Sequence, residues 1–452
     1  MKTLLVNLPW RVAEGRYGVR AGSRWPFTIE LEQGKKHYLP FPFFLAYAAS
    51  LLKENKKEAK LFDFIAENWK KKYCIERIKE YNPDLLLAET STPSFYNDID
   101  ILRNIRNSIP FSQLAICGPH ASTFPEKILS DYEFLDYVLI GEYEYTLLEL
   151  VSCLEENGDL NTIFGLAYRE GKEIIKNPYR KTIADLDSLP WPEREDVPIY
   201  NYNDGFCGLP KPNVQMWASR GCPFECTFCL WPQVMYREHK YRKRDVKDVV
   251  DEMEYLVNKY NFKAVYFDDD VFNIDRKYTL SICKEIMDRN VKIPWACMAR
   301  VDLMDEELLE IMGDAGLYAI KYGIESADKE ILKRCKKNID LDKAKRIINY
   351  TKKIGIKTHL TFCVGLPAET SESINKTVKF IKDVNPDSLQ ISYAVPFPGT
   401  DLYSNLENKF IRKPYNWSSF DGNCDSVVCI DGLSREILKE RKDTLKGIRF
   451  SK

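Results

Sequence analysis

The chain has 452 residues, 44% of them hydrophobic and 29% charged, which is enough for two or three domains with ordinary globular cores. A formal net charge of −1 gives no electrostatic case for a nucleic-acid partner, and the Lys/Arg-rich patch from Tyr236 to Arg244 reads as a solvated face ahead of an acidic helix. Thirteen irregularly spaced cysteines are no disulfide framework and point to a reducing cytoplasm; the N-terminal apolar run is too short for a signal peptide, and no window suits a membrane span.

Thr3 to Leu8 reads as a buried strand ending at Pro9-Trp10, followed by a polar Gly/Arg-rich loop over Glu14 to Trp25. The aromatic segment Tyr38 to Phe44 leads into a helix over Leu45 to Lys53, which weakly favours an apolar substrate. Strands are expected at Lys60 to Asp63, Asp84 to Ala88, Leu114 to Cys117 and Tyr137 to Ile140. Helices fall between them near Cys74 to Tyr81, Ile99 to Ser108 and Pro125 to Leu129, with one more running through Leu154. This alternation predicts a doubly wound parallel sheet, in which ligands bind beyond the carboxyl ends of the strands. Ser91-Thr92-Pro93, Gly118-Pro119-His120 and Gly141-Glu142 all fall there.

That order and those turns resemble the cobalamin-binding domain that precedes many radical S-adenosylmethionine (SAM) barrels. The resemblance implies a cobalamin side formed by Ser91, Thr92, Gly118, His120, Gly141 and Glu142. The Asp-x-His-x-x-Gly element through which some relatives ligate cobalt is absent, since neither His37 nor His120 has an Asp two positions earlier. A flavodoxin-like domain without a corrin is the alternative, and His120 reads equally as a hydrogen-bonded structural residue.

Phe164 to Lys176 reads as a hairpin, and Asp185 to Pro192 as a stiff linker, because proline fixes φ and removes a donor. Next comes Ser219-Arg-Gly-Cys222-Pro-Phe-Glu-Cys226-Thr-Phe-Cys229-Leu-Trp231, after an apolar strand end at Val214 to Trp217. Three thiols are one too few for a structural zinc site, but they suit a [4Fe–4S] cluster with one iron left open. The C-x3-C-x2-C spacing, with the aromatic Phe228 before the last cysteine, resembles the signature of the radical SAM superfamily. Trp231 is expected over the cluster or the cobalamin face, with plain barrel core as its alternative.

Beyond the loop, strands are expected at Ala264 to Phe267, Pro294 to Ala299, Tyr318 to Gly323, Lys357 to Val364 and Ser388 to Val395, alternating with helices. With Val214 to Trp217 that makes six βα-type strands, the number in the partial TIM-like barrel of radical SAM enzymes. The expected division is 1–160 for the Rossmann-like domain, 161–212 for hairpin and linker, 213–405 for the barrel and 406–452 for a small C-terminal region. The charged amphipathic helix Ser434 to Ile448 is expected to cover the barrel mouth.

Strand ends should carry the site. The resemblance implies that Asp268 and Asp270 accept from the SAM ammonium, while Asp269 points away by strand alternation. Arg300 pairs the carboxylate in a bidentate fork, and Glu325 or Ser326 holds the ribose. Gly365 lets backbone approach the adenine, on which Tyr393 or Val395 packs. Tyr322-Gly-Ile-Glu-Ser326, Gly365-Leu-Pro-Ala-Glu369 and Pro396-Phe-Pro-Gly-Thr400 each resemble this branch. Cys207, Cys297, Cys335, Cys363, Cys424 and Cys429 lack the tight spacing of a second cluster, and Cys424 and Cys429 read as structural.

The resemblance implies a cytoplasmic, oxygen-sensitive enzyme that cleaves SAM reductively and functionalises an unactivated carbon. C-methylation of a small-molecule or lipid-like metabolite through cobalamin leads, with an external electron donor such as flavodoxin or ferredoxin. The alternatives are cyclisation, oxidation or carbon–carbon bond formation on a tetrapyrrole or isoprenoid lipid, and a cluster-bearing sensor without turnover. A methylthiotransferase is disfavoured, because no basic RNA-binding barrel is legible near the C-terminus.

Overall fold

The computed structural model describes residues 1–13, 15–20, 26–31, 37–406, 416–423 and 433–448; Cys424 and Cys429 lie outside them. Two α/β lobes carry the fold. In the first, seven strands lie in the order Glu173–Lys176, Leu166–Glu170, Tyr137–Leu139, Gln113–Cys117, Leu85–Glu89, Lys2–Asn7, Glu58–Asp63. The five strands before the hairpin pair in parallel, and the hairpin adds two antiparallel strands at one edge.

Strand period explains why such apolar runs are needed. Leu85 and Leu87 join one core cluster, whereas Leu86 and Ala88 join the cluster on the opposite face. Leu5 and its neighbours Leu4 and Val6 divide in the same way. A parallel sheet covered on both faces has no polar side, so its strands read as continuous hydrophobic stretches. Helices Phe43–Glu54 and Glu144–Glu156 cover one face, and Lys71–Tyr81 with Phe95–Ser108 the other.

One segment departs from expectation. Within the loop read at Glu14 to Trp25, Arg16–Val19 is a strand, paired antiparallel with Arg11–Ala13 and Phe27–Glu30. Its glycine hides the pattern, yet Gly18 is what lets the Trp10 ring lie against this strand, since a Cβ there would come within 2.0 Å of the ring. Tyr17 donates from its hydroxyl to the Tyr38 carbonyl at 2.6 Å and ties the small sheet to the chain that follows.

The second lobe has six strands, all parallel, in the order Asn213–Met216, Ala264–Phe267, Trp295–Ala299, Leu317–Glu325, Lys357–Val364, Ser388–Tyr393. Six βα units leave the barrel open between its first and last strands. Helices such as Val246–Tyr260, Leu341–Lys353 and Ser371–Val384 bury their apolar stripes on its outer face. Asp245, Asp340 and Thr370 cap those three helices by accepting from first-turn amides.

The segment ahead of the barrel is packed: Leu209 and the flanking Phe206 sit against Tyr266, Ala296 and Ala319, closing the inner floor. One more expectation changes. The helix Arg435–Lys446 does not span the mouth. Leu438 and Leu445 join the outer core cluster beside the last strands, because its one apolar stripe is spent there.

Candidate metal-cluster and cofactor site

Ser219–Arg220 pairs antiparallel with Arg242–Lys243 and brings the chain to Gly221. Gly221 sits at φ +89°, and a Cβ there would lie 1.9 Å from the Lys240 carbonyl oxygen, so only glycine fits this close approach. Its amide donates to Asp270 Oδ2 at 2.8 Å, and Tyr236 donates from its hydroxyl to the same oxygen at 2.9 Å. Past the bend, Gln233 Nε2 donates to the carbonyls of Cys226, Thr227 and Cys229 at 3.1, 3.2 and 2.7 Å. The amide of Thr227 donates to the Cys335 carbonyl at 3.0 Å. Gln233 lies in the π-helical turn Trp231–Met235, a widened turn of the kind frequent at functional sites.

Cys222, Cys226 and Cys229 line one cavity at the carboxyl end of the barrel, together with Asp268, Asp270, Arg300 and Glu325. Among the described residues no three His, Cys, Asp or Glu side chains are grouped to hold a single metal ion, and the three thiols border the cavity. That donor set fits a cube gripped at three corners. Burial pushes the Cys222 thiol up to about 11, with Asp270 and Cys226 adding to it and Arg300 opposing.

Asp268 and Asp270 face the cavity, and Asp269 turns away to accept from Ser219 Oγ and the Ala218 amide. Arg300 also borders it, but its fork is on Asp302, with Nε–Oδ1 at 3.0 Å and Nη2–Oδ2 at 2.9 Å, and the guanidinium lies 3.6 Å from the centre of the Phe224 ring. Glu325 has φ +67°, accepts from Lys337 Nζ at 3.0 Å and accepts from Cys363 Sγ at 3.2 Å. A non-glycine residue held there is a strained point of the kind that gathers at functional sites.

Three expected residues sit elsewhere. Ser326 Oγ accepts from the Asp328 amide behind the strand end. Gly365 donates to Glu369 Oε2 at 2.8 Å with Leu438 packed beside it, and the outward Tyr393 ring lies 4.0 Å from Lys442 Nζ. None of the three lines the cavity. Residues that also line it include Lys321, Lys337, Asp204 and Phe27, which the motifs do not single out, together with Tyr38 of the aromatic segment and Cys363, weighed only for a second cluster. For Lys321 the available signal was a lysine in the middle of a buried strand.

The cobalamin-side residues are committed to protein. Glu142 Oε1 pairs with Arg220 Nη1 at 3.2 Å and Oε2 with Arg242 Nη1 at 2.7 Å, while Glu144 pairs with Arg220 at 2.6 Å. Gly141 backs onto the Met235 carbonyl, and its amide donates to Ser122 Oγ. Ser91 is bound to Ser94, and a Cβ on Gly118 would collide with the Thr90 carbonyl. His120 is held neutral, pushed down to about 3 by burial among Phe95, Phe124 and Trp417, with Nδ1 3.2 Å from the Thr92 hydroxyl. Trp231 packs on Phe44 in the core between the lobes.

The patch read as a solvated face is a correction. Arg242 and Arg244 are buried, and Arg244 pairs with Glu252 at 2.6 Å. Their partners come from a helix further on and from the other lobe, which local composition does not reveal.

The fold and this cavity define a cluster-binding partial barrel joined to a Rossmann-like lobe. Residues 218–381 match the model of the radical SAM superfamily. The chain is 30% identical over 379 residues to an uncharacterized methyltransferase of Pyrococcus horikoshii, covering 84% of this chain and 81% of that one. It is also 30% identical over 395 residues to an anaerobic magnesium-protoporphyrin IX monomethyl ester cyclase of Rubrivivax gelatinosus, covering 83% and 68%. Among solved structures, the fold resembles the radical SAM methyltransferase TsrM of Kitasatospora setae with cobalamin and [4Fe–4S] cluster bound, with TM-score 0.68, 18% identity and coverage of 89% and 77%. The cobalamin-dependent SAM radical enzyme OxsB, with aqua-cobalamin and SAM bound, gives TM-score 0.71, 17% identity and coverage of 98% and 65%. The chain belongs to the radical SAM superfamily.

Proposed function

We propose that this chain is a radical SAM enzyme that functionalises an unactivated carbon of a small molecule, with C-methylation as its leading outcome. The observation that carries the reading is one cavity bordered by three loop cysteines and by acidic strand ends. Cys222, Cys226 and Cys229 would hold a [4Fe–4S] cluster, which when bound supplies the electron that splits SAM into methionine and a 5′-deoxyadenosyl radical. The chain's own part is positional. Asp268 and Asp270 receive the SAM ammonium, Glu325 accepts from the ribose hydroxyls, and Phe228 and Met298 keep water from the wall.

Methyl transfer is supported by the methyltransferase names among the relatives, and the cyclase of Rubrivivax gelatinosus supports ring formation as the second reading. Cobalamin as methyl carrier rests on the solved relatives that hold it. Ser91, Thr92, Gly118, His120, Gly141 and Glu142, the residues expected on the cobalamin side, are buried against protein, and cobalamin as methyl carrier is part of the same proposal without a role assigned to any one of them. No helix among the described residues is long and apolar enough to cross a membrane, and a cytoplasmic protein reduced by a flavodoxin or ferredoxin is part of the same proposal.

Anaerobically reconstituted protein given SAM and a reductant is expected to release 5′-deoxyadenosine, and Cys226→Ala to lose both iron and this product. Equal product from the variant would overturn the reading. Transfer of an isotopically labelled methyl group from SAM separates methylation from cyclisation.

A further inference from the structure

The floor of the cavity holds two opposite charges that satisfy each other poorly. Lys321 stands on the strand Leu317–Glu325 among the inward positions Ala319, Gly323 and Glu325, and Asp204 comes from the segment that closes the floor. Lys321 is 7% exposed and Asp204 is 5% exposed. Among the described residues their only hydrogen bond, Nζ to Oδ2, is 3.5 Å long. An ammonium has three donors and a carboxylate about four acceptor sites, so most of this capacity is unused in a place where desolvation costs several kcal/mol per ion.

The aromatic faces of Phe206 and Tyr266, at 4.7 and 5.2 Å from Nζ, offset part of that cost on the lysine alone. Both charged groups border the cavity, beside Thr361, Gln390 and Ser392 on the neighbouring strands. Phe27 and Tyr38, stacked at 5.8 Å, border the same space.

We propose that this floor is a subsite for an amino-acid-like, zwitterionic end of the substrate, with Lys321 taking its carboxylate and Asp204 its ammonium. A lone anion on Lys321 would sit against Asp204, and a lone cation on Asp204 against Lys321. A zwitterion meets both and leaves the chamber's charge unchanged. The aromatic pair then receives the apolar remainder. The proposal rests on the radical SAM reading only in calling this ligand the substrate.

The test uses full-length, cluster-reconstituted protein saturated with SAM, so that the probes report the floor and not the SAM position. Calorimetry compares L-phenylalanine, 3-phenylpropionate and 2-phenylethylamine, which share a ring and differ in charge. Phenylalanine is expected to bind at least tenfold tighter than either. Lys321→Met should shift the preference to phenylethylamine and Asp204→Asn to phenylpropionate, whereas Lys321→Arg should keep the preference for the zwitterion. Three probes that bind alike, or none that binds, overturn the subsite on the wild-type protein alone, even if a variant fails to fold. Charge swaps that leave the preference unchanged overturn it too. SAM cleavage by the wild type, measured in parallel, judges the activity separately: its absence beside intact charge selectivity removes the enzyme reading and leaves the subsite standing.

Discussion

Glu89 ends a buried strand of the first lobe at 4% exposure, accepting from the Tyr143 hydroxyl at 3.2 Å. Burial pushes its carboxyl up to about 7 from 4.5; Arg20 and the Tyr143 hydrogen bond oppose the shift, and Asp63 and Asp98 add to it. The folded state then binds more protons than the unfolded chain between those two values. Stability is fully present below about pH 4.5 and declines as pH rises towards 7, by about 3 kcal/mol in all. Glu89→Gln should cancel that loss, so its stability relative to wild type should rise from pH 5 to pH 8 in denaturant titrations. A constant offset would refute it. At this scale the sequence was legible where a period applies: strand alternation alone separates Asp269 from Asp268 and Asp270. It was illegible where partners are remote, as for Arg300, whose fork goes to Asp302, and for Tyr393, which ends under Lys442.

At the scale of the element, the cluster loop depends on one residue without a side chain. Gly221→Ala combines left-handed backbone with a collision against the Lys240 carbonyl, so the short strand pair must part. The strain alone costs about 1–3 kcal/mol. Iron content after anaerobic reconstitution should fall well below wild type. Gly355→Ala, at φ +88° with open space around it, pays strain without collision and should keep its iron. Equal iron in both variants would show that the Lys240 contact is not what shapes the loop. The long βα elements were readable because apolar runs and helical stripes are local signals. The strand Arg16–Val19 was not, since its glycine serves a distant indole ring.

Across the whole molecule, the two lobes are clamped next to the cysteine loop. Arg220, the residue before Gly221, reaches Glu142 and Glu144 in the first lobe and lies near the rings of Phe44, Tyr47 and Trp217. Arg220→Ala leaves two buried carboxylates short of their partner, and removing one member of a buried pair costs about 3–5 kcal/mol. Denaturation midpoints should drop accordingly, and iron should be lost at lower denaturant than the helical signal. Coincident loss at the wild-type midpoint would show that the clamp carries no load. Nothing local announces this pairing, because its members lie 76 and 78 positions apart along the chain.

Phe27 and Tyr38 belong to the stretch between the first two strands of the N-terminal sheet, yet they border the barrel's cavity. The reaction vessel is thus built by both halves of the polypeptide, and residues 218–381 cut out alone would lack these two wall panels along with Asp204, Gln390 and Ser392. A chimera that borrowed the N-terminal half of a relative would inherit a different vestibule along with it, so shuffling these halves becomes a way to retune which molecules are admitted.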